Sequence, residues 1–223
     1  ATFNKARQTG ANGSIAAADN AAYSAISFTV GAWVKPTTFG AANYSSIFSR
    51  RTAPGNKGFY LEYYGGGNGG SGQLQCHLDF DSGAVRAITD ANSKLSPNEW
   101  NFAACSWDGS NLKIYINGNL VKTQAGTGKP ANPAGASILM GRNPIETEDF
   151  LNAGLDEVMY WTRALSDAEI QTLASGTLPG STASPSPSAS PSPTDSCPNL
   201  IKNSSLETPV ITLHNGEWQL YGQ

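Results

Sequence analysis

NEWNFAACSWDGSNLKIYINGNLV, residues 98 to 121, carries the reading that decides the fold class. Trp100, Phe102 and Ala104 alternate with Asn101, Ala103 and Cys105. Asp108-Gly109-Ser110-Asn111 breaks the run, and Leu112, Ile114 and Ile116 then alternate with Lys113, Tyr115 and Asn117. A period of two sends successive side chains to opposite faces of a strand. Asn117-Gly118 suits a type I′ hairpin turn, whose central residues need positive φ. Strand, polar turn, strand, tight turn and strand in so short a stretch mean antiparallel sheet.

The same pattern extends outward. Ser27 to Lys35 alternates, with Phe28, Val30, Ala32 and Val34 on one side, and Pro36 ends it. Ile47 to Ser49 is a short apolar piece. Phe59 to Tyr64 follows, then a glycine-rich loop from Gly65 to Gly72 that reads as mobile. Leu74 to Phe80 and Ala84 to Thr89 are joined by Asp81-Ser82-Gly83, and Ile138 to Met140 and Leu155 to Trp161 complete the strands. Ser166-Asp167-Ala168-Glu169 is a capping box flanked by Leu165 and Ile170 as a hydrophobic staple, so one short helix follows and runs out by Gly176. Residues 1–176 therefore read as one all-β unit, a two-sheet antiparallel β-sandwich with a short C-terminal helix.

Residues 177–195, with their Ser-Pro repeats, cannot build a core and read as a semi-rigid spacer. Residues 196–223 are too few to fold alone and read as the truncated start of a second β-sandwich. The chain begins without Met and without a leader, which reads as a processed or excised piece.

Composition narrows the function classes. Only 14% of residues are charged, glycine is abundant at 24, and the net charge is −3 with no basic cluster, which argues against nucleic acid or an anionic membrane surface as partner. No apolar run is long enough to span a bilayer, so membrane insertion is not expected. The three cysteines are Cys76, Cys105 and Cys197. Cys76 and Cys105 lie in strand-like segments and could pair, although sequence does not show that their Cα atoms approach closely enough. Asn12, Asn43 and Asn203 head N-glycosylation triplets.

Phe28 to Pro36, Glu99 to Phe102, Leu112 to Val121, Gly154 to Val158, Arg163 to Ser166 and Glu169-Ile170, taken in that order, resemble the laminin-G-like, concanavalin A-like jelly roll of pentraxins and secreted lectin-like modules. The resemblance covers nearly all of residues 3–175. It implies two curved antiparallel sheets, binding of glycans or proteins, and in many members calcium at the rim. The surroundings of Cys105 and Trp107 are pentraxin-like, but the pentraxin disulfide partner falls near Gly31, which leaves Cys76 as the alternative within this unit. Asn199 to Pro209 resembles the opening strand of galactose-binding-like β-sandwiches.

Three sites are candidates. On parity, Tyr60, Glu62 and Tyr64 share one side of their strand, and Gln75, His77 and Asp79 share one side of theirs. If the strands are neighbours, these six form one polar, aromatic face suited to sugar hydroxyls and apolar sugar faces; the plain alternative is a solvated sheet surface. Glu146, Glu148 and Asp149, with Asp19 standing in for the early acids that the family uses and Thr9 to Gly13 lacks, are the candidate calcium ligands. Glu62 and Asp79 could form a glycosidase pair if their carboxyls lay about 5–10 Å apart. No Glu-x-Asp-x-x-Glu, Gly-x-Ser-x-Gly or His-Glu-x-x-His motif supports that chemistry. Trp33, Trp100, Trp107 and Trp161 read mainly as core, with Trp33 of opposite parity to Phe28, Val30 and Val34 and so the one to test for exposure.

The expectation is a noncatalytic carbohydrate-binding module, with calcium as its candidate ion, in an extracellular or cell-surface multidomain protein. Its partner is a glycan or polysaccharide. The alternatives are a protein–protein adhesion module with an extracellular protein as partner, and an atypical glycoside hydrolase.

Overall fold

The structure is a computed structural model that describes residues 7–9, 14–37, 39, 44–52, 57–65, 71–145, 150–176, 210–214 and 217–221, with backbone alone at 7–9, 210–214 and 217–221. The Ser/Pro spacer, the glycine-rich loop at 66–70, residues 196–209, Cys197, the three glycosylation triplets' asparagines and the acids at 146–149 lie outside the described residues.

Two antiparallel sheets face one another. In chain order the strands are β1 (Arg7–Thr9), β2 (Ile15–Ala17), β3 (Phe28–Pro36), β4 (Tyr44–Thr52), β5 (Lys57–Tyr64), β6 (Leu74–Asp79), β7 (Ala84–Ile88), β8 (Asn101–Trp107), β9 (Asn111–Ile116), β10 (Asn119–Ala125), β11 (Ile138–Met140), β12 (Ala153–Trp161), β13 (Val210–His214) and β14 (Glu217–Tyr221). One sheet runs β10-β9-β8-β3-β12-β13-β14, with β1 also on β12; the other runs β2-β11-β4-β5-β6-β7. The two-sheet sandwich expected from the alternation, and the jelly roll implied by the resemblance, is the observed fold. The β9–β10 turn has Asn117 at φ 51° and Gly118 at φ 82°, as a type I′ turn requires. From the C-terminal stretch, β13 and β14 form a hairpin whose first strand pairs with β12 through Met159–Thr212 and Tyr160–Ile211.

Between the sheets, Phe28, Phe48, Phe59 and Tyr160 stack with centroid separations from 4.6 to 6.4 Å. Each such side chain contributes about 1.5–3 kcal/mol on leaving water. Cys76 on β6 and Cys105 on β8 form a disulfide across the core, with Cα atoms 6.4 Å apart. The pairing left open by the sequence is thus made, and it ties one sheet to the other.

The central strands of the first sheet are buried on their outer face as well. Phe102, Ala104, Tyr115, Met159 and Trp161 pack beneath Leu165, Ile170 and Leu173. Ile170 and Leu173 belong to helix α1, Asp167–Ala174. The helix therefore explains why every residue of β8 is buried, although a two-sheet sandwich accounts for only one of its faces. Trp33 joins this cluster, 5.6 Å from Phe102 and tilted against it. Its outward parity holds: Trp33 lies on the outer side of the sheet, half-buried, with part of its ring used in packing. Trp107 and Trp161 are buried as expected.

The capping box forms in full. Ser166 N–H donates to Glu169 Oε2 at 2.8 Å, and Glu169 N–H donates to Ser166 Oγ at 3.3 Å. Arg163 adds two bonds to the same carboxylate at 3.0 and 2.6 Å. Those Arg163 bonds, more than the Ser166 bonds, hold the Glu169 carboxyl down to about 2, against burial that pushes it up. A carboxyl depressed in the folded state stabilises fully above its unfolded value and stops doing so as the pH falls through its folded value. The helix contribution should therefore fade between pH 4.5 and about 2. Acid denaturation of Glu169→Gln should lack that component; an unchanged profile would show that the Arg163–Glu169 contact is unimportant.

Candidate functional site

The six sheet-face residues come together. The register sets Tyr60 opposite His77 and Glu62 opposite Gln75 on the paired strands β5 and β6. Phe59, Leu61 and Tyr63 enter the core, so strict alternation turns Tyr60, Glu62 and Tyr64 the other way. Gln75 is the hub: its Nε2 donates to Tyr60 Oη at 3.1 Å and to Glu62 Oε1 at 2.8 Å, while its Oε1 accepts from the Tyr64 hydroxyl at 2.8 Å. His77 Nε2 meets Asp79 Oδ1 at 2.8 Å. The His77 ring lies flat on Tyr60, with centroids 4.9 Å apart and planes 4° apart.

Burial divides these residues into two roles. Glu62 and Gln75 are only 2% exposed and Tyr60 only 9%. Glu62 and Gln75, expected as outward contacts, are instead an inner hydrogen-bonded layer that holds the phenols in place; both amide protons of Gln75 and its carbonyl are committed to neighbours. Tyr60, expected as an exposed ring, is flanked by His77 from β6 and by Arg51 from β4, whose guanidinium lies 4.9 Å over the ring. Its ring faces are therefore covered. Tyr64, His77 and Asp79 are half-buried and within reach of a ligand. Tyr44 of β4 stands beside Tyr64, with centroids 5.0 Å apart and edge to face.

Arg51 and Arg86 were missed as members of this face. Arg86 alternates with Val85 and Ala87, so its outward parity was readable from the sequence. Arg51 was not readable, because the short piece Ile47 to Ser49 proves to be part of the nine-residue strand β4, with a bulge between Ser46 and Phe48. The bulge buries both Ile47 and Phe48 and shifts the parity of everything after them. Arg50 consequently turns inward and Arg51 outward.

The electrostatics favour a neutral, hydrogen-bonding surface around the phenols. Burial chiefly pushes the Tyr60 hydroxyl far above its usual range, with Glu62 adding to the effect and Arg51 and Arg86 opposing it. Burial likewise raises Tyr64. Both phenols therefore stay protonated in neutral solution. Arg51 Nη2 and Asp79 Oδ2 are 3.8 Å apart, too far for a good hydrogen bond. Arg51 Nε, His77 Nδ1 and Asp79 Oδ2 are buried atoms without a hydrogen-bond partner. Unmet polar atoms concentrated at one place are costly to the fold and mark it as a binding candidate.

Of the candidate calcium ligands, Asp19 has other work. Its Oδ1 accepts from Arg50 at 2.7 Å and its Oδ2 from the Gly135 N–H at 2.7 Å. Among the described residues, no group of three or more His, Cys, Asp or Glu could hold a metal ion. Likewise among the described residues, no helix is long and apolar enough to cross a membrane.

Comparison with known proteins agrees with this architecture. A family model described as the concanavalin A-like lectin/glucanases superfamily matches residues 9–171. Comparison with the curated proteins gives no match. Among solved structures, a candidate carbohydrate-binding protein from Bacteroides ovatus aligns with TM-score 0.61 at 18% identity, over 76% of this chain and 46% of that one. Domain 4 of an extracellular arabinanase from Geobacillus stearothermophilus, solved with arabinotriose, aligns with TM-score 0.52 at 21% identity, over 68% of each chain. A heptameric pentraxin from Limulus polyphemus aligns with TM-score 0.51 at 19% identity, over 77% of this chain and 73% of that one. The chain spans less than half the length of the Bacteroides protein.

Proposed function

Because this chain belongs to the concanavalin A-like lectin/glucanases superfamily, we propose that it is a noncatalytic carbohydrate-binding module of an extracellular multidomain protein. The observation that carries the reading is the polar face of β5 and β6. There the Gln75 network holds Tyr60 and Tyr64 rigidly while His77 and Asp79 keep polar atoms unmet. Sugar hydroxyls both donate and accept, so they suit the polar edge formed by the half-buried Tyr64, His77 and Asp79. Tyr64, beside Tyr44, offers an aromatic ring for an apolar sugar face.

The same geometry favours binding over bond cleavage. A glycosidase needs two carboxyls that reach the scissile bond. Glu62 is 2% exposed and bonded to Gln75, and Asp79 is bonded to His77. The arabinotriose complex of the Geobacillus domain and the description of the Bacteroides protein support a saccharide ligand. A buried disulfide suits an oxidising compartment outside the cytosol. Calcium belongs to the proposal only through Glu146, Glu148 and Asp149, since Asp19 is held by Arg50 and Gly135.

A glycan array followed by calorimetric titration of the best oligosaccharide tests the reading. Tyr64→Ala and His77→Ala should each weaken binding about tenfold, measured well below the thermal transition of each variant so that loss of the Gln75 bond or of the Tyr60 stack is not mistaken for unfolding. Affinity untouched by both substitutions would place the ligand elsewhere. Titration in EGTA tests the ion: equal affinity would remove calcium from the proposal.

A further inference from the structure

Arg86 is exposed on β7, the edge strand of its sheet, and forms no ion pair among the described residues. The nearby acids are engaged: Asp79 faces His77 and Arg51, and Glu62 accepts from Gln75. In register, Arg86 stands next to His77, one strand beyond the stacked Tyr60. Its charge reaches the hydroxyls of both Tyr60 and Tyr64, where it opposes the effect of burial. Arg86 therefore shares the field of the candidate face.

Arg86 also lines a separate cleft of about 400 Å³. The cleft lies where the β6–β7 turn, with Ser82 and Gly83, meets the end of β10, with Gln124 and Thr127. That volume is in the range that holds a small ligand. A guanidinium presents a planar fork of donors matched to the two oxygens of a carboxylate or sulfate. The β7 side of the face thus ends in a cation with no ion pair among the described residues and with polar groups around it.

From this we infer that the module selects glycans bearing an oxyanion substituent, a uronate carboxylate or a sulfate ester, and that Arg86 is the residue that reads it. The inference rests on the carbohydrate reading above. Neutral sugar contacts fall to Tyr64, His77 and Asp79, and the anion lies over β7 toward the cleft. Because Arg86 is exposed, added salt should weaken the acidic preference.

Calorimetric titration at low salt with an oligogalacturonate and its methyl ester, and with a sulfated oligosaccharide and its unsulfated parent, tests the inference. The acidic member of at least one pair should bind about tenfold more tightly, the size of one charge-assisted hydrogen bond. Which pair shows the preference identifies the oxyanion. In Arg86→Gln the two members of the pair should bind equally, whatever the change in affinity for the neutral member. Equal binding of acidic and neutral members by the parent, or a preference that survives in Arg86→Gln, overturns the inference and leaves the carbohydrate reading standing. Binding of no saccharide at all, on the array or in these titrations, overturns both.

Discussion

Asp19→Ala should lower the unfolding free energy by about 3 kcal/mol, measured by urea denaturation at pH 7. The reason lies in Arg50, whose side chain is only 2% exposed. Its Nε donates to the Ala136 carbonyl, one Nη to the Tyr23 carbonyl and to Asn132, and the other to Asp19. Asp19 is the only anion in that set. Removing it leaves a buried cation held by neutral acceptors, which is the costly way to break such a pair. Asp19 itself is 31% exposed, so the lower end of the usual range applies. Asp19→Asn keeps an acceptor and should cost less. The contact also has a pH signature. The hydrogen bond from Arg50 is the main reason the Asp19 carboxyl sits below its ordinary 3.8. Its stabilisation is complete above that value and is lost as the pH falls through the depressed one. A loss below about 1 kcal/mol in Asp19→Ala would mean that water replaces the carboxylate.

Replacing both Cys76 and Cys105 by alanine should cost about 3–4 kcal/mol, on the chain-entropy view of a bridge closing 29 residues. Both cysteines are fully buried between the sheets, so reductant reaches them only after the sandwich opens. Reduction of the native protein should then proceed at the unfolding rate, and mild denaturant should accelerate it steeply. Rapid reduction without unfolding would show that the sheets part locally around β6 and β8. A double variant as stable as the parent would show that core packing alone holds the sheets together.

Local alternation made most of the fold legible. A period of two in Phe28 to Lys35, Phe59 to Tyr64 and Leu112 to Ile116 cannot bury one face except as a strand. Asn117-Gly118 and Ser166 to Glu169 carry their conformations in their own backbone and side-chain chemistry. Parity likewise put Tyr60, Glu62, Tyr64, Gln75, His77 and Asp79 on one face, because strand alternation is a property of the chain itself. Which of those side chains still meets solvent was not local information. It depended on the stacking of Arg51 and His77 about Tyr60 and on the closing of hydrogen bonds around Gln75.

Three features were decided by the tertiary structure alone. The bulge at Ser46–Phe48 exchanges the directions of Arg50 and Arg51, making the first a core cation and the second part of the candidate face. The disulfide joins residues in different sheets, and only packing of the two layers sets their separation. The double burial of β8 needs the helix laid over its outer face, so Phe102 becomes core and Trp33 packs partly buried against it. In each case the determining contact is distant in sequence. The chain alone determined where strands, turns and the helix form and which way most side chains point; the assembled sandwich determined which of those side chains lose water, because burial depends on what packs opposite.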